Sequence, residues 1–483
     1  MRNSSISTIL VAALVWLAPS PVRAQQSLQV PIQFDFLSPG ARSLALGSAF
    51  VALADDATAA WTNPAGLWNL PDSEISLEGR FQGFEQPFMT GGRLSGAVTG
   101  SGQDTVPSAQ FAPLKGDRTG LSFLSFLYST RHLKLAAYRH ELLRVDQSFQ
   151  YDGVFQFEPN LAFTNRDIAF EGRRQIVIDN YGVSVGRQVG PSNRTWGPIL
   201  IGGGVSMARF SLDYTASSFL HHGTYGPPDP VNQLLARSSQ TGDEWAMGAT
   251  AGVLVPIQGF VTVGAAYRNG PRFAFTSVVT PTTSAQVSAE EEFDVPDVVA
   301  LGIRVGPFTR GSSQGAAAQP GALASEPRGP TGTWQVAVEY KRVQNSQLRS
   351  SYIASFLRAS DPAEKAYAFS IDDSNEFHLG FEYVFNRARV RPALRGGFWY
   401  DPDHSLQYSS PTNDLYDERF RTSLSNGKDL WHYTFGLGLV TGTRLEFNVG
   451  GDVSSRSTAV SASAIVRFRK APQPTLPPLD LNP

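Results

Sequence analysis

From residue 430 to 440 the chain alternates strictly. Trp431, Tyr433, Phe435, Leu437 and Leu439 take one set of positions, and His432, Thr434, Gly436 and Gly438 the other. A two-residue period places successive side chains on opposite faces of a strand, so this segment is a strand with one large apolar face and one small or polar face. The pattern recurs. In residues 444–453, Leu445, Phe447, Val449 and Val453 oppose Arg444, Glu446, Asn448 and Asp452. In 376–385, Phe377, Leu379, Phe381, Tyr383 and Phe385 oppose Glu376, His378, Gly380 and Glu382. Each segment runs to roughly ten residues, the length a tilted strand needs to cross a bilayer. Comparable segments fall at 74–84, 121–129, 133–143, 176–188, 199–214, 244–255, 260–275, 296–305, 334–343, 375–385, 390–400, 430–440, 443–453 and 458–468. The expected fold is all-β: a transmembrane antiparallel barrel of about 14 strands, even in number as single-chain outer-membrane barrels are.

The connections carry a second signal. Links after every second segment are long and rich in Pro, Gly, Asp and Ser, whereas others are as tight as Thr441-Gly442. Long loops on one side and short turns on the other are an outer-membrane pattern, with the long side extracellular and both chain ends periplasmic. Residues 1–24 read as a cleaved signal peptide, with Arg2, an apolar run and a Val22-Arg23-Ala24 site. The remainder divides into a hatch at 25–72, the barrel at 73–468 with a flexible low-complexity periplasmic loop at 306–332, and a Pro-rich periplasmic tail at 469–483. With zero cysteines there is no disulfide, thiolate metal site or thiol nucleophile, and a net charge of −2 gives no reason to expect nucleic acid. No later apolar run is long enough for a membrane helix.

Residues 39–67, PGARSLALGSAFVALADDATAAWTNPAGL, fit neither a clean strand nor a long helix. Their small side chains suit a plug lying against a barrel wall. Asn63 and Pro64 favour a turn and Gly66 a positive φ, so Asn63, Pro64, Ala65 and Gly66 read first as the bend of a hatch. Asp55 and Asp56 are expected to cap a short helical turn through Trp61. The Gly-Ala-Arg start, the Asp55-Asp56 pair and the closing NPAGL, together with HYTFGLGLVTGTRLEFNVGGD at 432–452, resemble the FadL-type family of outer-membrane transporters for hydrophobic compounds, which includes toluene-uptake proteins. PorV-type secretion shuttles share the signature.

The resemblance implies passive transport of a long-chain fatty acid or aromatic hydrocarbon through a plugged, monomeric barrel in outer-membrane lipid, with release through the wall. It implies no cofactor, metal or enzymatic activity. The alternative is a PorV-like shuttle that binds secreted proteins. Phe34, Phe36 and Leu37 are candidates for the inner end of a ligand pocket, and Phe155, Phe157 and Phe163 for its mouth, within an aromatic loop that also holds Phe149, Tyr151 and Phe170. Gly182-Val183-Ser184-Val185-Gly186 matches a nucleophile elbow, yet it sits inside an alternating strand without a following helix. His221-His222 and the acidic run 290–292 read as solvated loops. Glu339, Lys341, Glu376, Glu382, Arg391, Arg395, Arg444, Glu446 and Asp452 are expected to face the lumen, where mixed charges can pair and close a pore.

Overall fold

The computed structural model describes residues 34, 36, 38–97, 106–158, 163–190, 198–220, 233–257, 260–281, 287–307, 332–348, 369–385, 390–409, 415–441 and 444–468. The expected leader and tail, almost all of the 306–332 loop, and His221-His222 lie outside the described residues. In chain order the strands are β1 (Ser73–Arg93), β2 (Gln110–Ser129), β3 (Lys134–Tyr151), β4 (Val154–Glu158), β5 (Phe163–Arg166), β6 (Ala169–Val189), β7 (Ile199–Leu220), β8 (Gln233–Ile257), β9 (Val261–Asn269), β10 (Arg272–Pro281), β11 (Val287–Asp294), β12 (Val298–Val305), β13 (Gly332–Val343), β14 (Phe369–Ser370), β15 (Ser374–Phe385), β16 (Val390–Asp401), β17 (Gln407–Tyr408), β18 (Leu430–Thr441), β19 (Leu445–Val453) and β20 (Ser457–Phe468). Setting aside β4–β5, β10–β11 and the β14–β17 pair leaves 14, which close into one antiparallel barrel. β20 returns to β1 with Ser73 opposite Phe468, so the ring of strands closes.

Alternation decides which side chains meet the bilayer. Trp431, Tyr433, Phe435, Leu437 and Leu439 are exposed on the outer wall while His432 and Thr434 are buried. Aromatic pairs rim this apolar belt at both levels. Tyr181–Trp245, Tyr340–Phe377 and Tyr400–Trp431 stand toward the long-strand end, and Phe260–Trp334 and Tyr383–Phe385 at the turn end. On the tall side the wall continues past the upper rim, since β6, β7 and β8 run 21, 22 and 25 residues against 8 for β12. There its outer face carries ion pairs, Arg173 with Asp146 and Arg209 with Asp243. Above the bilayer nothing forces an outward residue to be apolar, which is why alternation in the sequence marks only the lower part of these strands.

Four sequence expectations change. Phe149, Tyr151 and Phe170 belong to β3 and β6, not to a loop, because both strands continue above the membrane. The acidic run 290–292 lies in β11, paired with β10. Arg444 is exposed beside the β18–β19 turn, whereas Glu339, Glu376, Glu382, Arg395, Glu446 and Asp452 are buried toward the lumen. The segment 260–275 is also broken at Gly270-Pro271, where proline has no N–H for the ladder. Asp297 closes the break, accepting from Gly270 N at 2.9 Å and Asn269 Nδ2 at 3.0 Å.

Candidate functional site

Residues 38–70 fill the lumen. They fold as α1 (Ala41–Ala45), α2 (Ala59–Thr62) and a 3-10 helix, Pro64–Asn69, nearly all of it buried. Such short helices are marginal alone, so the wall must hold them. It does so with carboxylates. Glu78 accepts from Gly40 N at 2.6 Å, and Glu339 accepts from Phe50 N and Val51 N at 2.8 and 2.7 Å. Glu382 takes a bidentate pair from Arg42, Nε and Nη2 each at 2.9 Å, and a further bond from Arg395 Nε at 2.6 Å. Arg42 Nη1 reaches Asp55 at 2.5 Å, so its guanidinium joins both arms of the plug to the wall. Asp56 rather than Asp55 makes the turn, accepting from Thr58 N and Oγ1 at 2.9 and 2.6 Å. Burial pushes its carboxyl above the usual value, against the pull of Arg42.

Gly66 does not take the positive φ expected of it, because it lies inside the 3-10 helix Pro64–Asn69, and Asn63 does more than start a bend. Its Oδ1 caps Ala65 N at 3.2 Å while its Nδ2 donates to Val51 O at 2.8 Å and to the wall at Val253 O, 3.3 Å. The wall meets this motif with glycines. A methyl group at Gly202 would overlap Pro64, and one at Gly252 would overlap the Asn63 side chain. Gly436 and Gly450 give the same close approach to α1. Ser184, the residue of the elbow-like motif, donates to Ala60 O at 2.6 Å and holds the plug.

Above the plug lies a cavity of about 70 Å³ lined by Phe34, Phe36, Ser48, Arg268, Glu376 and His378 among others. Phe34 stacks on Phe36 and meets Phe293 edge-on at 5.2 Å, joining the cavity to an aromatic core of Phe210, Phe273, Phe275 and Phe293. The charges in it differ in their commitments. Glu376 pairs with Lys341 at 2.5 Å and His378 at 3.0 Å. Arg268 stands over the Trp61 ring with its guanidinium carbon 3.4 Å from the centroid, its Nε is buried without a hydrogen-bond partner, and it forms no ion pair among the described residues.

The wall beside this region is incomplete. β1 and β2 pair from Glu74↔Leu127 to Gly91↔Gln110, and β3 and β6 pair up to Tyr151↔Phe170, but β2 and β3 pair only from Ser129↔Lys134 to Phe123↔His140. Above that point side chains bridge the seam, Arg118 donating to Arg144 O at 3.3 Å and Arg139 to Leu121 O. β3 has a register shift at Glu141/Leu143 on the same level. Over the mouth, α3 (Leu415–Ser423) packs Phe420 on Phe369 and Tyr408, and Arg419 ion-pairs with Asp167, which also accepts from Tyr151.

Of the sequence candidates, Phe34 and Phe36 line the cavity. Phe155 lies apart from it, its ring between the guanidinium groups of Arg93 and Arg166 at the β4–β5 hairpin. Leu37 and the side chains of Phe157 and Phe163 lie outside the described residues. Sequence reading missed Arg268 and Arg42. Arg42 carried a signal, as a cation in a stretch otherwise almost without them.

Closed wall, apolar belt, buried plug and bridged seam define a plugged transmembrane barrel of 14 strands. No protein-family model and no curated protein matches the sequence. Among solved structures the chain is similar to a Pseudomonas aeruginosa FadL homologue, at 14% identity over 91% of this chain and 100% of that one, with a TM-score of 0.53. It is also similar to the P. putida toluene transporter TodX, at 12% identity over 90% of this chain and 100% of that one, with a TM-score of 0.50. The chain therefore has the fold of the FadL-type channels.

Proposed function

We propose that the protein is an outer-membrane channel for passive uptake of hydrophobic small molecules, and that its ligand is a long-chain amphiphile with one anionic head, of the fatty-acid class. Arg268 carries this reading. Its guanidinium is desolvated and has no ion-pair partner among the described residues, Glu339 acting on it only from a distance, and a ligand carboxylate in the small cavity would supply one while its tail displaces side chains among Phe34, Phe36 and the aromatic core. A pure hydrocarbon would leave the guanidinium as it stands. Release through the wall is supported by the seam between β2 and β3, where side chains replace the backbone ladder.

Uptake of a labelled long-chain fatty acid and of toluene by cells carrying each variant tests this. Arg268→Gln should slow acid uptake about tenfold or more, the loss of one charge-assisted hydrogen bond, and leave toluene uptake unchanged. Wild-type acid uptake in that variant would refute the head-group assignment. Normal uptake in a deletion strain that has lost secreted surface proteins would favour the shuttle function instead. Because the chain has no cysteine, Gly120→Cys with Glu141→Cys can be bridged across the seam by a cleavable thiol reagent. Bridging should stop delivery and cleavage restore it; undiminished delivery while bridged rules out this exit.

A further inference from the structure

The outer wall carries a second hollow, outside the lumen and below the β2–β3 seam. Over β2, β3, β6 and β7 the apolar belt sinks into a groove of about 680 Å³ lined by Phe126, Tyr128, Leu135, Ala137, Val183 and Val205. That volume is within the roughly 300–1,000 Å³ of small-molecule sites. Register explains the depression. Ala137 lies opposite Val183, and Val185 opposite Gly203, so the smallest outward residues fall between bulky ones on a single face. On β18 every outward position from Trp431 to Leu439 is large, and no such hollow is described there.

At its lower end the groove opens on two free arginines. Ser129 is bonded to Ser73 and to Pro71 O, which places the 130–133 turn at the end of the barrel where the first and last strands meet. Arg131 and His132 are exposed in that turn, and Arg187 is exposed on the outward face of β6 two residues beyond Val185. Neither arginine forms an ion pair or hydrogen bond among the described residues. Higher on the same wall the pattern is the reverse: Arg139 is paired with Asp179, Arg173 with Asp146 and Arg209 with Asp243, each on the neighbouring strand. Unpaired arginine at a bilayer surface attracts anionic head groups, and its long stem lets the guanidinium reach the interface from within the belt.

We propose that this face holds one anionic phospholipid of the leaflet at the turn end, with an acyl chain in the groove and its phosphate on Arg131 and Arg187. The site depends on the transmembrane barrel and not on which ligand the lumen takes. The phosphate satisfies the two cations, and the chain fills the hollow that Ala137 and Gly203 leave.

Native mass spectrometry of the full chain, extracted from vesicles of mixed phosphatidylglycerol and phosphatidylethanolamine, reads this out. The wild type should retain one phosphatidylglycerol in preference to phosphatidylethanolamine. Arg131→Gln with Arg187→Gln should lower that preference at least about tenfold. Gly203→Leu, whose Cβ would meet only Thr250 O at 3.6 Å and whose side chain would enter the groove, should abolish retention of both lipids while the barrel keeps its heat-modifiable migration. Equal retention of the two lipids by the wild type, or unchanged retention in either variant, overturns the proposal. So does displacement of the phospholipid by added palmitate, which would make the groove a landing point for released ligand.

Discussion

At the scale of single residues, the plug is held by groups whose value depends on having every partner in place. Arg42 is the extreme case, a buried guanidinium shared between Asp55 on the plug and Glu382 on the wall. Replacing it with methionine keeps much of the volume and leaves two buried carboxylates without that cation. Breaking such a pair on one side costs about 3–5 kcal/mol, less here to the extent that Arg395 still serves Glu382. Arg42→Met should lower the midpoint of heat-modifiable unfolding and expose the plug to protease; an unchanged midpoint would mean that the pair is replaced by water at little cost. Little of this was legible in the sequence. Alternation sorted Glu339, Glu382, Glu446 and Asp452 correctly to the lumen, because a strand's period fixes its faces. Arg42 and Asp55 lie 13 residues apart in a stretch without period, so nothing local announced that they meet.

Among elements, the contact between the 3-10 helix Pro64–Asn69 and β6, β7 and β8 is backbone against backbone, which only glycine permits. Gly202 and Gly203 are neighbours on β7 that face opposite ways, and this makes a controlled pair. A side chain at 202 would collide with Pro64, while at 203 the nearest atom to a new methyl is Thr250 O at 3.6 Å. Gly202→Val should therefore displace the NPAG turn and destabilise the protein by roughly 1–3 kcal/mol, the usual cost of overpacking, while Gly203→Val should leave the midpoint within the error of measurement. Equal effects would show that strand propensity and not the plug contact governs β7. The strands were readable because membrane-facing positions must be apolar, and each segment counted in the sequence overlaps one barrel strand, although 260–275 runs past β9 into β10. Their upper extensions were not, because water on both sides imposes no alternation. The break at Gly270-Pro271 was written in its dipeptide, but apolar residues on both sides of it concealed the interruption.

Across the whole molecule two barriers lie in series, the plug within the barrel and the lid over its mouth. A barrel of 14 strands is wider than the eight-stranded kind whose side chains fill the interior, so the plug rather than the wall must close it. The lid is held differently, by Arg419 reaching Asp167 and by a small cluster of Phe369, Leu406, Phe420 and Leu424. That cluster is far smaller than the surface joining plug to wall, where Glu78, Glu339, Glu382, Ser184 and Thr434 each bond the plug. The plug is therefore the tighter seal. Removing residues 38–70 would return those wall carboxylates to water, where they no longer need partners, so the barrel should still assemble with its belt intact. In planar bilayers the complete chain should show no steady conductance and the deletion variant a stable ionic one. Opening the lid alone, by Arg419→Met, should leave the bilayer silent. If the lid variant conducts and the plug deletion does not, the order of the two barriers is reversed and the seal belongs to the mouth.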